Sequence, residues 1–161
     1  MPKTMDIKAE SGSPLIEMRC TFDAPRDMVF KAHTDPAIVR QWWGPRSLTT
    51  TVVKLEARPG GQWRFLHRDT DGNEYGFHGV YHDVAAPERL VYTFEFEGMP
   101  GHVLLETLTF EERAGRTTLI DLSAFTSVED RDGMLESGME SGANESMERL
   151  TELLQRMRTP A

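Results

Sequence analysis

Apolar and polar residues alternate from Leu15 to Asp23: Ile16, Met18, Cys20 and Phe22 fall on one side, Glu17, Arg19, Thr21 and Asp23 on the other. This period of two predicts a strand with one dry face. The period then changes. Pro25 suits the first turn of a short helix carrying Val29, Phe30 and His33 at helical spacing, and Asp35-Pro36 opens a second helix that Gly44-Pro45 is expected to end. From Thr49 to Phe125 the pattern is strand again, in six runs: Thr49 to Leu55, Gln62 to Arg68, Glu74 to Val84, Leu90 to Glu97, His102 to Glu111 and Arg116 to Phe125. Ser127 with Asp130 three residues later resembles a capping box, and Met139, Ala143, Met147, Leu150, Leu154 and Met157 recur at intervals of three and four.

The order predicts an α+β fold: a seven-stranded antiparallel sheet, two short helices after its first strand, and a long C-terminal helix across its concave face. Only the sheet is large enough to cover that helix's apolar stripe. Residues 1–13 lack periodicity and read as a loose leader, with one domain over 14–158.

Two hairpins fix the faces. Centring the first on Asp71-Gly72-Asn73 pairs Trp63 with Tyr81, Phe65 with Gly79 and His67 with Phe77, and the same face continues through Leu90, Tyr92, Phe94 and Phe96. Centring the second on Arg113-Ala114 pairs Glu106 with Asp121, on the side that carries Leu108, Phe110 and Leu119. A slip of one residue would turn Thr107, Thr109, Thr118 and Ile120 inward instead. The facing helix is thin in its first half, at Gly138, Gly142, Ala143 and Ser146. Large rings opposite small residues mean either close contact of helix and sheet or an internal space lined by rings.

Composition narrows the functional classes. The chain has 161 residues, a formal net charge of −8 and one cysteine, Cys20. The acidic balance argues against nucleic acid, whose affinity comes from Lys and Arg neutralising phosphates. A lone cysteine permits no internal disulfide and no thiolate metal cluster. No run of about 20 apolar residues suggests a membrane span, and the start has no signal-peptide pattern, so a cytoplasmic location is expected. His78 and His82 are four apart, but on a strand that separates them by about 13 Å, too far to share a metal ion. Gly60-Gly61 lacks the context of a dinucleotide loop, and there is no phosphate-binding loop or nucleophile elbow. No metal or other cofactor is expected.

The stretches FDAPRDMVFKAHTDPAIVRQWWGP (22–45), RPGGQWRF (58–65), GFHGVYHDVAAPERLVYTF (76–94) and ESGMESGANESMERLTELL (136–154) resemble the START-like, or SRPBCC, superfamily. Within it they resemble the branch named after the C-terminal domain of the activator of the heat-shock protein 90 ATPase. The resemblance runs from about Leu15 to Leu154. It implies the helix-grip fold, with a cavity between sheet and helix that in many relatives holds an apolar ligand. Relatives often carry an aromatic residue after Gly142. Ala143 stands there in this chain, implying a wider cavity near the middle of the helix.

Within that frame, Trp63, Phe65, Phe77, Tyr81, Tyr92 and Phe94 are the expected walls of a ligand site. His67, Glu106 and Asp121 are its polar groups, Met139 and Ala143 its helical lid, and Trp43 the residue at its mouth, with Trp42 wedging the helical corner onto the sheet. Each has a plainer role available: a satisfied core histidine, a salt-bridged rim, ordinary core filling. The leading expectation is binding of a hydrophobic or aromatic small molecule. A cyclase- or dehydratase-like enzyme would use Glu106 or Asp121 as acid or base, since paired carboxylates in a dry site push one pKa upward, but no specific catalytic constellation stands out. A chaperone-interaction module is the third reading, and a homodimer is left open.

Overall fold

A computed structural model of the chain describes residues 5–158. The alternating segment forms β2 (Leu15–Phe22), which is not the first strand: β1 (Asp6–Lys8) precedes it and pairs antiparallel through Asp6 and Arg19. The expectation of a loose leader is therefore corrected from residue 5 on, and the sheet has eight strands instead of seven. Three residues are too few to show a period. What holds them lies outside the segment. Met5 is buried in the core, and the buried guanidinium of Arg131 donates from Nη1 to the carbonyls of Glu10 and Leu15, clamping the connection between the two strands.

After β2 come α1 (Arg26–Thr34) and α2 (Pro36–Val39), then β3 (Thr49–Leu55), β4 (Gln62–Arg68), β5 (Glu74–Ala85), β6 (Arg89–Phe96), β7 (Val103–Arg113) and β8 (Arg116–Ala124). All neighbours are antiparallel, in the order β1-β2-β8-β7-β6-β5-β4-β3. α3 (Val128–Glu136) is capped by the Ser127 hydroxyl, which accepts from the Asp130 amide at 3.1 Å. Gly138, at φ +86°, separates it from α4 (Met139–Arg158). The buried residues of α4 are Met147, Leu150, Leu153 and Leu154, so its second half joins the core cluster that also holds Val29, Phe22 and Phe110.

Both hairpins differ from the expected register by two residues. In β4–β5 the pairs are Trp63 with Gly79, Phe65 with Phe77 and His67 with Tyr75. Asp69 is the reason: its carboxylate accepts from the amides of Asp71 and Asn73, which closes a loop centred on Asp71, one residue earlier than the glycine suggested. In β7–β8, Arg113 pairs with Arg116 around a two-residue turn of Ala114 and Gly115, both at positive φ. Glu106 thus lies opposite Ser123, and Asp121 opposite Leu108. A shift of two preserves the face of every side chain, so the division into inner and outer residues stands.

α2 also ends sooner than expected. Its regular turns stop at Val39, although the amides of Trp42 and Trp43 both still bond the Val39 carbonyl. The segment from Gln41 to Arg46 is then strapped to α4: Gly44 N donates to Ser146 Oγ, Arg46 N to Glu145, and the Arg149 guanidinium to the carbonyls of Gln41, Gly44 and Pro45.

Candidate functional site: a cavity with an aromatic wall and an acidic wall

Between the concave face and the first half of α4 lies a cavity of about 380 Å³. At the β3–β5 side its wall is built of rings. Trp43 makes edge contacts with Phe65 at 4.9 Å and Phe77 at 5.2 Å between centroids, and a tilted one with His67 at 4.8 Å. Trp63 meets Phe65, Tyr92 and Phe94 at 4.8 to 5.9 Å, and Tyr81 packs on Tyr92. Such offset and edge arrangements are the favourable ones for aromatic quadrupoles.

Two glycines make this packing possible. Gly79 lies directly opposite Trp63, and the indole crosses it to donate from Nε1 to the Thr93 carbonyl on the next strand, at 3.1 Å. A Cβ on Gly79 would run into both that carbonyl and the indole nitrogen. Gly44, at φ +97°, has a conformation that L side chains rarely adopt, and a Cβ there would collide with the imidazole of His67.

The two tryptophans of the 41–45 segment divide their tasks. Trp42 is buried and donates from Nε1 to Ala32 O at 2.9 Å, tying the corner to α1. Trp43 keeps more exposure and turns to the aromatic wall, and both border the cavity.

The β7–β8 side is different. Glu106 Oε1 accepts from Ser123 Oγ at 2.9 Å, and the Tyr92 hydroxyl bonds the same carboxylate. Asp121 is a diagonal neighbour, on the order of 7 Å away along the ladder, and its Oδ1 is buried without a partner. Both carboxyls are surrounded by protein and border the cavity, and burial raises both pKa values. Asp121 rises further, because it lacks the donors that favour the charged form of Glu106 and because the charge of Glu106 repels its own. Asp121 is thus the more strongly raised member of the pair.

Two histidines complete the lining. Burial lowers the pKa of His67 to about 4, and its ring bonds the Trp43 carbonyl while Nε2 is buried without a partner. His33 is likewise pushed to about 4 by burial, with Nδ1 at 2.8 Å from the Val29 carbonyl. A carbonyl only accepts, so Nδ1 carries the proton in each neutral ring and Nε2 is left as an acceptor. Cys20 also borders the cavity, but burial raises its thiol to about 12, which leaves it un-ionised and unreactive.

All the residues anticipated for a site border this one cavity: Trp43, Trp63, Phe65, His67, Phe77, Tyr81, Tyr92, Phe94, Glu106, Asp121, Met139 and Ala143. Sequence reasoning missed Met5, which sits in the supposed leader, and Ser123, whose pairing with Glu106 depends on the true turn. It also passed over His33, which had been noted only for its helical spacing with Val29 and Phe30. His78 is on the convex face with Glu95 and Glu97. Among the described residues no group of three or more His, Cys, Asp or Glu could hold a metal ion, and no helix is long and apolar enough to cross a membrane.

Residues 23–155 match the family model described as "Activator of Hsp90 ATPase homolog 1-like protein". No curated protein matches the chain. Among solved structures, protein Ms6760 from Mycobacterium smegmatis is similar at 26% identity, over 95% of this chain and 97% of that one, with a TM-score of 0.85. A protein from Arthrobacter aurescens is 26% identical over 97% and 92% of the two chains, with a TM-score of 0.87. One from Rhodobacter sphaeroides is 25% identical over 95% and 99%, with a TM-score of 0.88.

Proposed function

Because the chain belongs to the activator of Hsp90 ATPase homolog 1-like family, whose fold sets a curved sheet around a helix, we propose that its function lies in the interior, as the binding of a hydrophobic or aromatic small molecule. The observation that carries this reading is the 380 Å³ cavity lined mainly by rings and aliphatic side chains. It falls in the size range of small-molecule sites, with few polar groups among many apolar ones, the usual balance between affinity and orientation. The walls are Trp63, Phe65, Phe77, Tyr81, Tyr92 and Phe94; Trp43 closes one side, and Met139 and Ala143 form the helical lid.

Native mass spectrometry and a thermal-shift screen against fatty acids and polycyclic aromatics test the proposal. Bound ligands should raise the unfolding temperature, and Ala143→Trp, which fills the space under the lid, should remove that rise while leaving the circular dichroism unchanged. A screen with no stabilising compound, or a filled variant that binds as wild type does, would overturn it.

The Glu106–Asp121 pair favours a second reading, in which the cavity orients a reactive chain, Asp121 gives a proton and Glu106 takes one. Asp121→Asn would then abolish turnover of a bound compound and leave its affinity nearly intact. The family name alone does not supply a chaperone partner.

A further inference from the structure

We propose that the molecule held in this cavity is an aromatic amine bound as its ammonium ion, with the charge at the Glu106–Asp121 wall and the ring system against the Trp63–Tyr92–Phe94 wall. The proposal rests on the cavity-binding reading and names the chemistry of its ligand.

The first observation is an imbalance of donors and acceptors. Two indole N–H groups that could serve a ligand are spent on backbone carbonyls, Trp42 on Ala32 and Trp63 on Thr93. The hydroxyls of Ser123 and Tyr92 are directed to Glu106. On the other side of the count, Asp121 Oδ1 and His67 Nε2 are buried and unpartnered. Buried polar groups normally find partners, and those that have none point to a missing one. Here the missing partner is a donor.

The second observation is the missing counter-charge. Among the described residues no side-chain cation pairs with the two carboxyls: Arg19 borders the cavity, but its guanidinium is paired with Glu17 on the outer face, and Arg149 is occupied by the carbonyls of Gln41, Gly44 and Pro45. Both histidines are held neutral by burial. A buried carboxyl pair without a cation is costly when charged, and a ligand that brings one positive charge with several N–H donors relieves both deficits together. The third observation is the company these carboxyls keep. Tyr92 bonds Glu106 and packs edge-on to Trp63, so an ammonium held by the acids also sits beside aromatic faces whose quadrupoles attract cations.

The test is isothermal titration calorimetry in 150 mM salt, where attraction to the acidic surface is largely screened, with three probes of one size: 1-naphthylmethylamine, 1-naphthylmethanol and 1-acetonaphthone. The amine should bind about tenfold more tightly than either neutral probe. In Glu106→Gln/Asp121→Asn that ratio should collapse to within about twofold, and each single substitution should remove part of it. Ala143→Trp should abolish binding of the amine. The amine inference is overturned if the ketone binds most tightly, which would make Asp121 a neutral donor to an acceptor ligand. It is equally overturned if the alcohol matches the amine, or if Ala143→Trp still binds the amine with the same preference, which would place the binding on the surface. If none of the three probes binds, the cavity reading itself fails and takes this one with it.

Discussion

The two faces of the sheet use the same residue types to opposite ends. On the convex face, Glu97 accepts from Arg64 at 2.7 and 2.9 Å and pairs with His78, and the Arg64 bonds lower its pKa to about 2. On the concave face, Glu106 and Asp121 have no cationic partner among the described residues and are pushed up by burial. The convex face meets its own electrostatic needs across β4, β5 and the end of β6. The concave face does not, and what it leaves unmet is chemically specific: acceptors and negative charge beside aromatic rings. A solid core would have little reason to keep that combination, whereas a ligand site has.

The largest test of this contrast uses two glycines of β5 that point to opposite sides. Gly79→Ala on the concave face forces a methyl against the Thr93 carbonyl and the Trp63 indole, neither of which can yield without breaking the Trp63–Thr93 bond. A loss of about 4 kcal/mol in urea unfolding is expected, together with a weakened near-ultraviolet circular dichroism signal from the aromatic wall. Gly76→Ala on the convex face meets only the end of the Glu97 side chain, which can swing toward solvent, so a loss of about 1 kcal/mol is expected. Equal losses would mean that the aromatic wall is no more rigid than the charged surface behind it.

Much of the concave face was legible because its information is periodic. A strand's faces follow from alternation, and alternation survives an error of two residues in either hairpin; Trp63, Phe65 and His67 therefore faced inward on either register. What did not survive was the identity of partners. Asp69 closes its turn with side-chain bonds that a Gly-centred reading of the turn does not anticipate, and in the other hairpin a turn of Ala114 and Gly115, one residue later than the expected centre, sets Glu106 opposite Ser123 instead of Asp121. β1 was invisible for a different reason. Its stability comes from Met5 in the core and Arg131 more than a hundred residues away, and no local pattern encodes a distant clamp. The hold of Arg149, Ser146 and Glu145 on the 41–46 segment is of the same kind: the paired tryptophans were conspicuous in the sequence, but the α4 side chains that fix them there were not.

A second test uses the buried histidines. Each has a folded pKa near 4 against an ordinary value of 6.5, so the unfolded chain binds more protons between those limits and stability falls as pH drops from 6.5 toward 4. A shift of that size corresponds to at most about 3 kcal/mol per ring. The slope is best read from urea midpoints in the Glu106→Gln/Asp121→Asn background, because the carboxyls contribute with the opposite sign in the same range. His33→Phe or His67→Phe should each flatten the profile by about half. An unchanged profile in both variants would show that neither ring is kept from protonation by its place beside the cavity.

The smallest and sharpest test removes charge from each face in turn. Glu97 is depressed below its unfolded value, so its contribution is present above the ordinary carboxylate pKa and is lost as pH falls toward 2. Glu97→Gln should therefore cost less than about 1 kcal/mol at pH 7, as suits a pair partly open to water, and nothing near pH 2. Glu106 and Asp121 are raised, so below pH 4 both states are protonated and nothing is gained or lost. As pH rises above that, the unfolded chain releases protons that the folded one must keep or give up at a cost. Replacing them by Gln and Asn should leave stability unchanged near pH 4 and raise it by about 1–2 kcal/mol by pH 8. The two substitutions thus move the urea midpoint in opposite directions, and their difference grows with pH. If the double variant is instead destabilised at pH 8, the carboxyls are stabilised from within the protein and the concave face has no unmet charge for a ligand to satisfy.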